Sequence, residues 1–251
     1  MNILITSIAL LYGLIFGSFF NVVGLRVPNG TLLKQQRSYC DTCNRTLTWK
    51  ELIPVWSFVK QKGKCTTCHE TISPLYPVME LATGVLFAFT YFFYGWSHET
   101  VLGLILISLI IPITVSDLEY RRIPNKLLLF FAPLFIIYRL IYPLSPWYFS
   151  LIGAVLAFVL LFLIILLSKG GMGIGDLKYF TLFGFIFGPY LFLLLFFLAT
   201  IYGSIIGFIT IKRNNGNRKT KIPFGPSIGL AALTVFYFGE VILNWYSQFF
   251  I

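Results

Sequence analysis

The sequence predicts an all-α polytopic membrane protein with about eight transmembrane helices and one large polar loop between the first two. Hydrophobic residues make up 57% of its 251 residues, and only 11% are charged. The mean hydropathy is +0.83. A water-soluble domain of this size cannot bury so much apolar surface, so the composition indicates a protein whose solvent is largely the bilayer.

Eight apolar runs predict the spans. We interpret the first run as a retained helix rather than a cleaved signal peptide, because it lacks a basic start and is not followed by an A-x-A-like cleavage site. The sixth run is short, and "FGPY" at 187–190 favours a break, so 179–211 is alternatively one long or broken helix. The predicted spans are 4–25, 77–95, 98–116, 126–142, 147–168, 177–188, 190–211 and 225–247.

The distribution of basic residues predicts the orientation. Eighteen of the nineteen Lys and Arg residues fall in four alternate loops, and only Arg139, inside a span, falls toward the other side. Basic loops mark the cytoplasmic face of a membrane protein. The four basic loops are therefore expected in the cytoplasm and both termini outside. This also explains the net charge of +10 without nucleic acid as a partner.

All four cysteines lie in the first cytoplasmic loop, as "CDTC" at 40–43 and "CTTC" at 65–68. Two C-x2-C pairs at this spacing are typical of a tetrahedral zinc site, whereas a cytoplasmic location disfavours disulfides. Four thiolates leave no open coordination position, so the expected zinc is structural. His69 is interpreted as a surface residue rather than a further ligand. The predicted ligands are Cys40, Cys43, Cys65 and Cys68.

Two aspartates lie at cytoplasmic ends of predicted spans: Asp117 in "SDLEYRRIPN" and Asp176 in "GMGIGDLK". Taken alone, Asp176 is equally well interpreted as a first-turn helix acid or as a partner of Lys178. Together, two close carboxylates would share a proton and act as general base and general acid, which is aspartic-protease chemistry. The sequence contains no G-x-S-x-G, H-E-x-x-H or P-loop motif that would offer a competing chemistry.

The order of these motifs resembles the type IV prepilin peptidases, also called prepilin leader peptidases or N-methyltransferases. The resemblance covers nearly the whole chain and departs from the family motif only at positions such as Phe20 and Gly24. The segments that carry it are "GSFFNVVGLRVP", "RSYCDTC", "ELIPVWSF", "GKCTTCHETISPLYPVMEL", "SDLEYRRIPN", "GMGIGDLK" and "IPFGPSIG".

The resemblance implies a multi-pass enzyme of the bacterial cytoplasmic membrane with its active site toward the cytoplasm. Asp117 and Asp176 would be the catalytic pair. The substrates would be prepilins and pseudopilins, cleaved after the Gly that ends a short basic leader. Many members then methylate the new N-terminus with S-adenosylmethionine. Glu80 in "YPVMEL" matches a family acid and is a candidate contact for the substrate amine or leader, with a plain helix-terminus acid as the alternative. Lys178 is a candidate contact for a main-chain carbonyl of the substrate or a residue that steers Asp176, and it is equally well interpreted as one of the basic residues that mark the cytoplasmic side.

The predicted organisation has three parts: a first transmembrane helix at 1–25, the cytoplasmic cysteine loop at 26–76, and the membrane peptidase domain at 77–251. Three other interpretations compete. An ion-coupled transporter would use the same two aspartates, but they lie at the membrane boundary and no repeated halves are visible. A zinc-dependent scaffold would need the cysteines and not the aspartates. A presenilin-like protease would carry Tyr before its first aspartate, where this chain has Ser116.

Overall fold

The computed structural model describes residues 3–34, 37–40, 42–168, 171–213 and 222–248. Four of the basic residues behind the orientation (Lys169, Arg218, Lys219 and Lys221) lie outside these ranges, as does Asp41. The described residues form eight α-helices and contain no β-strand, only two isolated bridges. The helices are α1 Ile3–Arg26, α2 Trp56–Lys60, α3 Leu75–Tyr94, α4 His98–Tyr120, α5 Asn125–Ile141, α6 Phe149–Leu167, α7 Ile174–Arg213 and α8 Gly225–Ser247.

The all-helical membrane architecture predicted from the sequence is confirmed. Six helices are long and apolar enough to cross a membrane: α1, α3, α4, α6, α7 and α8. Helix α5, with 17 residues, is shorter. Helix α7 has 40 residues and covers both the sixth and the seventh predicted span. Together these segments account for the eight apolar runs of the sequence.

The chain divides into two compact units, residues 1–115 and 116–251. In the first unit, α1 packs on α3 through small residues. A Cβ atom at Gly13 would lie 2.7 Å from the Cα of Gly84, and one at Gly17 would lie 2.7 Å from the Cα of Glu80. These distances are too short for a side chain. Close backbone approach through small residues is the usual way in which helices associate inside a bilayer.

In the second unit, α7 packs against α5, α6 and α8 and breaks at Gly188, within the predicted "FGPY" break. Gly188 has φ +75°, and Pro189 has no N–H to donate, so carbonyls of the preceding turn lose their helical partners. Arg139 of α5 supplies a replacement donor for one of these carbonyls, because its Nε donates to the carbonyl of Ile186 at 2.8 Å. The one basic residue outside the charge pattern therefore stabilises a helix break.

The contact between α6 and α7 is the tightest of these. A Cβ at Gly153 would lie 2.1 Å from the carbonyl oxygen of Gly184. We expect Gly153→Ala to destabilise the folded protein by about 1–3 kcal/mol, since the backbones must separate. Gly207→Ala is the matched control on α7, because among the described residues its Cβ would meet only the terminal Cδ1 atom of the Ile222 side chain, at 3.1 Å. Equal denaturation midpoints of the two variants in mixed micelles would contradict this expectation.

Candidate active site and metal centre

Asp117 is the last buried residue of α4, and a tight turn follows it. The Ser116 hydroxyl donates to the carbonyl of Arg122 at 2.7 Å, and the N–H of Arg121 donates to the Asp117 carbonyl at 2.9 Å. Arg121 has φ +55°, the left-handed conformation that commonly ends a helix. The turn reverses the chain immediately after Asp117 and leads through Ile123 into α5.

The Asp117 side chain is directed at the N-terminus of α8. Its Oδ2 accepts the N–H of Gly225 at 2.7 Å, and the N–H of Phe224 also hydrogen-bonds to the carboxylate. Backbone N–H groups at a helix N-terminus are a natural binding site for a carboxylate. A Cβ at Gly225 would lie 2.9 Å from Asp117 Oδ2. Only glycine allows the backbone to come this close.

Asp176 lies in the first turn of α7. Its Oδ2 accepts the N–H of Gly173 at 3.2 Å, which satisfies one of the free donors at the start of the helix. The interpretation of Asp176 as a first-turn helix acid is therefore correct. It does not exclude a second role, because the contact occupies only one acceptor position of the carboxylate.

Two contacts bring the starts of α5 and α7 together. A Cβ at Gly175 would lie 3.1 Å from the Cβ of Ile123, so this glycine permits close packing on the turn behind Asp117. Lys178 Nζ donates to Asn125 Oδ1 at 3.0 Å. Among the described residues no ion pair joins Lys178 to Asp176. Because the starts of α5 and α7 are packed together, Asp176 lies near enough to Asp117 for the charge of Asp117 to act on it.

Gly225 and Tyr179 are site residues that the sequence interpretation did not assign. Gly225 lies in one of the segments that carry the family resemblance, but no role was assigned to it there. Its signal was present in "IPFGPS", where a glycine stands at the start of a helix beside proline. Tyr179 is completely buried, and its hydroxyl has no hydrogen-bond partner among the described residues. The charge of Asp117 also acts on this hydroxyl.

The four cysteines come together as predicted. Their Sγ atoms all lie within 4.8 Å of one another, and Cys40 Sγ is 3.7 Å from Cys68 Sγ. No disulfide joins them. Zinc with four thiolates at about 2.3 Å requires sulfur atoms about 3.8 Å apart in a tetrahedral arrangement. The donor set and its spacing therefore fit a metal ion such as zinc.

The two halves of this centre repeat one backbone pattern. Cys40 donates its N–H to the carbonyl of Arg45, and Cys65 does the same to Glu70, at 2.9 and 2.8 Å. In each half, backbone N–H groups within the C-x2-C turn point at the first sulfur, which lowers the pKa of the Cys40 thiol and lowers that of Cys65 to about 6. Such turns stabilise thiolates, the form that binds metal.

The four cysteines and the two aspartates lie within the parts of the chain that match known families. Residues 11–94 match the Bacterial Peptidase A24 N-terminal domain, and residues 104–208 match the Type IV leader peptidase family. A Prepilin leader peptidase/N-methyltransferase of Bacillus subtilis (strain 168) is 38% identical over 96% of this chain and 98% of its own length.

The chain belongs to the type IV leader peptidase family. Proteins with the same name from Legionella pneumophila and Neisseria gonorrhoeae are 31% and 29% identical, over 84% and 95% of this chain and 75% and 93% of their own lengths. No solved structure matches the chain. The family identifies a membrane-bound enzyme and gives no support to the transporter alternative.

Around the cysteines of this leader peptidase family member, the ion pair of Arg45 and Glu51 contacts the second half through Thr66. The Arg45 guanidinium contacts Glu51 Oε1 at 2.6 Å and donates to the Thr66 hydroxyl at 2.7 Å. The guanidinium holds the pKa of Glu51 well below its usual range. Arg45 therefore links the first C-x2-C turn to the second without being a metal ligand.

Glu80, the third predicted site residue, belongs to the first unit. It is buried on α3, and its Oε2 accepts the N–H of Val55 at 2.7 Å. Val55 has φ +60°, an unfavourable conformation for a β-branched residue, and this bond helps to hold it. One established task of Glu80 is thus to attach the cysteine loop to α3. Its role toward the substrate stays a prediction.

His69 follows the last cysteine and occupies the position that Asn44 has in the first half. The two residues have φ +57° and +54°, and each donates its N–H to the carbonyl of the first cysteine of its turn. We expect His69→Asn to retain the metal content of the parent, because asparagine tolerates this conformation and the sulfur atoms are unaffected. Metal analysis of the purified protein checks this, and a lower zinc content would make His69 a ligand.

Proposed function

We propose that the chain removes the basic leader from type IV prepilins and pseudopilins by cleaving after Gly, on the cytoplasmic side of the bacterial plasma membrane. The observation that carries this proposal is the convergence of Asp117 and Asp176 at neighbouring helix ends in a member of the leader peptidase family. The distribution of basic loops supports the cytoplasmic side.

The site supports aspartyl-protease chemistry. Backbone N–H groups of Gly225 and Gly173 each hold one oxygen of a carboxylate and so fix the orientation of the pair. One carboxylate takes a proton from the attacking water, and the other carboxyl group protonates the leaving amine. The two titrations belong to the pair rather than to either residue. The Tyr179 hydroxyl is a further donor available beside them.

Substrate recognition is assigned to the membrane helices and their cytoplasmic ends. The apolar helix of the prepilin would lie against spans of this chain through small-residue packing. We keep Glu80 as a candidate contact for the substrate amine or leader, and Lys178 as a candidate contact for a main-chain carbonyl of the substrate. The basic cysteine loop repels a basic leader, and the exposed carboxylate of Glu119 near Asp117 offsets this locally.

We further propose that the enzyme methylates the new N-terminus with S-adenosylmethionine, as the relatives' name suggests. This molecule supplies an electrophilic methyl group for the amine. Its ammonium group needs buried acceptors, and two fit on the facing helices α1 and α3: the Glu80 carboxylate and Asn21 Oδ1, which is buried without a partner among the described residues. We also assign structural zinc to the four cysteines, which belong to the amino-terminal part associated with methyl transfer.

Mass spectrometry of a purified prepilin, incubated with the enzyme and S-adenosylmethionine, tests both activities. Wild type and Asp176→Asn are compared side by side. We expect leader loss only with wild type, followed by the mass of one methyl group. Leader loss with both proteins would remove Asp176 from the chemistry. Cleavage without the added mass would restrict the proposal to the peptidase.

A further inference from the structure

The cysteine loop carries an exposed apolar face that no part of the proposed chemistry uses. Its two tryptophans are far from buried: Trp49 is 72% exposed and Trp56 is 63% exposed. Both belong to short helices that contact one another, the 3-10 helix Trp49–Leu52 and α2. We call this set the tryptophan face; its members are Trp49, Leu52, Ile53, Trp56 and Val59.

Helical spacing explains why each pair of these side chains lies on one side of its own short helix. Trp49 and Leu52 are three residues apart in a 3-10 helix, where such residues are aligned. Trp56 and Val59 have the same spacing in α2 and therefore also lie on one side. Soluble surfaces rarely expose contiguous apolar patches of this kind without a partner. The partner has to be identified from the position and charge of the face.

The position of the tryptophan face is set by Glu80. This residue is five positions into α3, which corresponds to about 7–8 Å from the start of the helix. Its carboxylate holds the backbone of Val55, the residue directly before Trp56, at 2.7 Å. At the same level α3 exposes Val78 and Leu81. The backbone that leads into Trp56 is therefore held beside the first apolar turns of a membrane-spanning helix.

The charge of the segment favours the same partner. Between residues 49 and 64 the only acid is Glu51, and its carboxylate is occupied by Arg45. Lys50 lies over the ring of Trp49, 5.5 Å from its centre. Basic side chains next to an aromatic and aliphatic face suit the anionic headgroups and the interfacial zone of a bilayer, where tryptophan is enriched. The basic residues concerned are Lys50, Lys60, Lys62 and Lys64, all exposed.

We propose that the tryptophan face is a membrane-docking surface that seats the cysteine loop on the anionic lipid headgroups of the leaflet next to it. The loop would then lie flat at the membrane, with its basic side chains among phosphates and its tryptophans at the level of the upper acyl chains. This proposal depends on the attachment of the loop to α3 and not on the peptidase or methyltransferase activity.

Tryptophan fluorescence in nanodiscs tests the proposal on the full-length protein. Trp96, Trp147 and Trp245 are replaced by Phe so that only Trp49 and Trp56 emit. Lipids brominated near the top of the acyl chain serve as the membrane quencher, and acrylamide serves as the aqueous quencher because it is uncharged and is not attracted by the basic loop. The nanodiscs contain either a mixture of phosphatidylglycerol and phosphatidylcholine or phosphatidylcholine alone.

We expect brominated lipid to remove at least half of the emission and acrylamide to remove little, with the lipid effect larger in the anionic mixture. A control reporter is Thr67→Trp, an exposed position in the second C-x2-C turn, with Trp49 and Trp56 also replaced by Phe. Its emission should respond to acrylamide and not to brominated lipid. Quenching of Trp49 and Trp56 by acrylamide alone, or protection from both quenchers, would overturn the proposal in favour of a solvated loop or a protein partner.

Discussion

We expect Asp117→Asn to reduce prepilin cleavage by at least about 10³-fold, because asparagine can neither accept nor donate the transferred proton. The substitution should leave the fold intact. The amide oxygen of asparagine can still accept the N–H of Gly225, which Asp117 Oδ2 binds at 2.7 Å. The measurement is kcat/KM for leader release, with the released product detected by mass spectrometry. The variant protein must have the same denaturation midpoint as wild type.

Glu119→Gln is the matched control for this variant. It removes a carboxylate only two residues further along, on the exposed side of the end of α4. It should change cleavage only slightly, through the attraction of the basic leader. Asp117→Asn with activity close to that of Glu119→Gln would remove Asp117 from the catalytic pair. The site would then require a different proton acceptor beside Asp176.

The sequence predicted the membrane helices and the clustering of the four cysteines because both depend on local patterns. An apolar run long enough to cross a bilayer has few alternatives to a helix, since no water is present to satisfy its backbone. Two C-x2-C pairs similarly specify their own turns. The break at Gly188 was also predictable, because the Gly-Pro pair of "FGPY" lacks one backbone N–H donor and disfavours the helical conformation in the residue before the proline.

The contacts between distant segments were not predictable in this way. Nothing local in "IPFGPS" indicates that Gly225 donates to Asp117, 108 residues away. The same holds for Arg139, whose carbonyl partner at Ile186 exists only because α7 breaks there. Glu80 was interpreted from its motif as a substrate contact, whereas its observed partner is the backbone of Val55. Motifs predict which residues matter more reliably than they predict what those residues contact.

A second large effect is expected when the metal ion of the cysteine loop is removed. We expect Cys65→Ser, or chelation of zinc, to unfold the cysteine loop while the second unit stays folded. Binding of structural zinc in small domains is worth about 10–16 kcal/mol, and a loop this small has little apolar core to replace it. Limited trypsin digestion measures the effect, since Lys60, Lys62 and Lys64 lie beside Cys65 and are already exposed. Cleavage at these sites should become much faster.

Thr67→Ser is the control, because it changes the same turn without removing a sulfur. Resistance of Cys65→Ser to trypsin, at the level of Thr67→Ser, would mean that hydrogen bonds such as those of Arg45 hold the loop without metal.

The two sets of variants also separate an enzyme from a zinc-dependent scaffold. The carboxylates belong to residues 116–251, and the four cysteines belong to residues 1–115. If cleavage is carried out by the aspartates, Asp117→Asn must reduce it more than Cys65→Ser does. The reverse order would indicate that the cysteine loop is the functional part and that the aspartates act only as helix-terminal acids. We expect the first order, because four thiolates around a metal ion would leave no coordination position for a substrate.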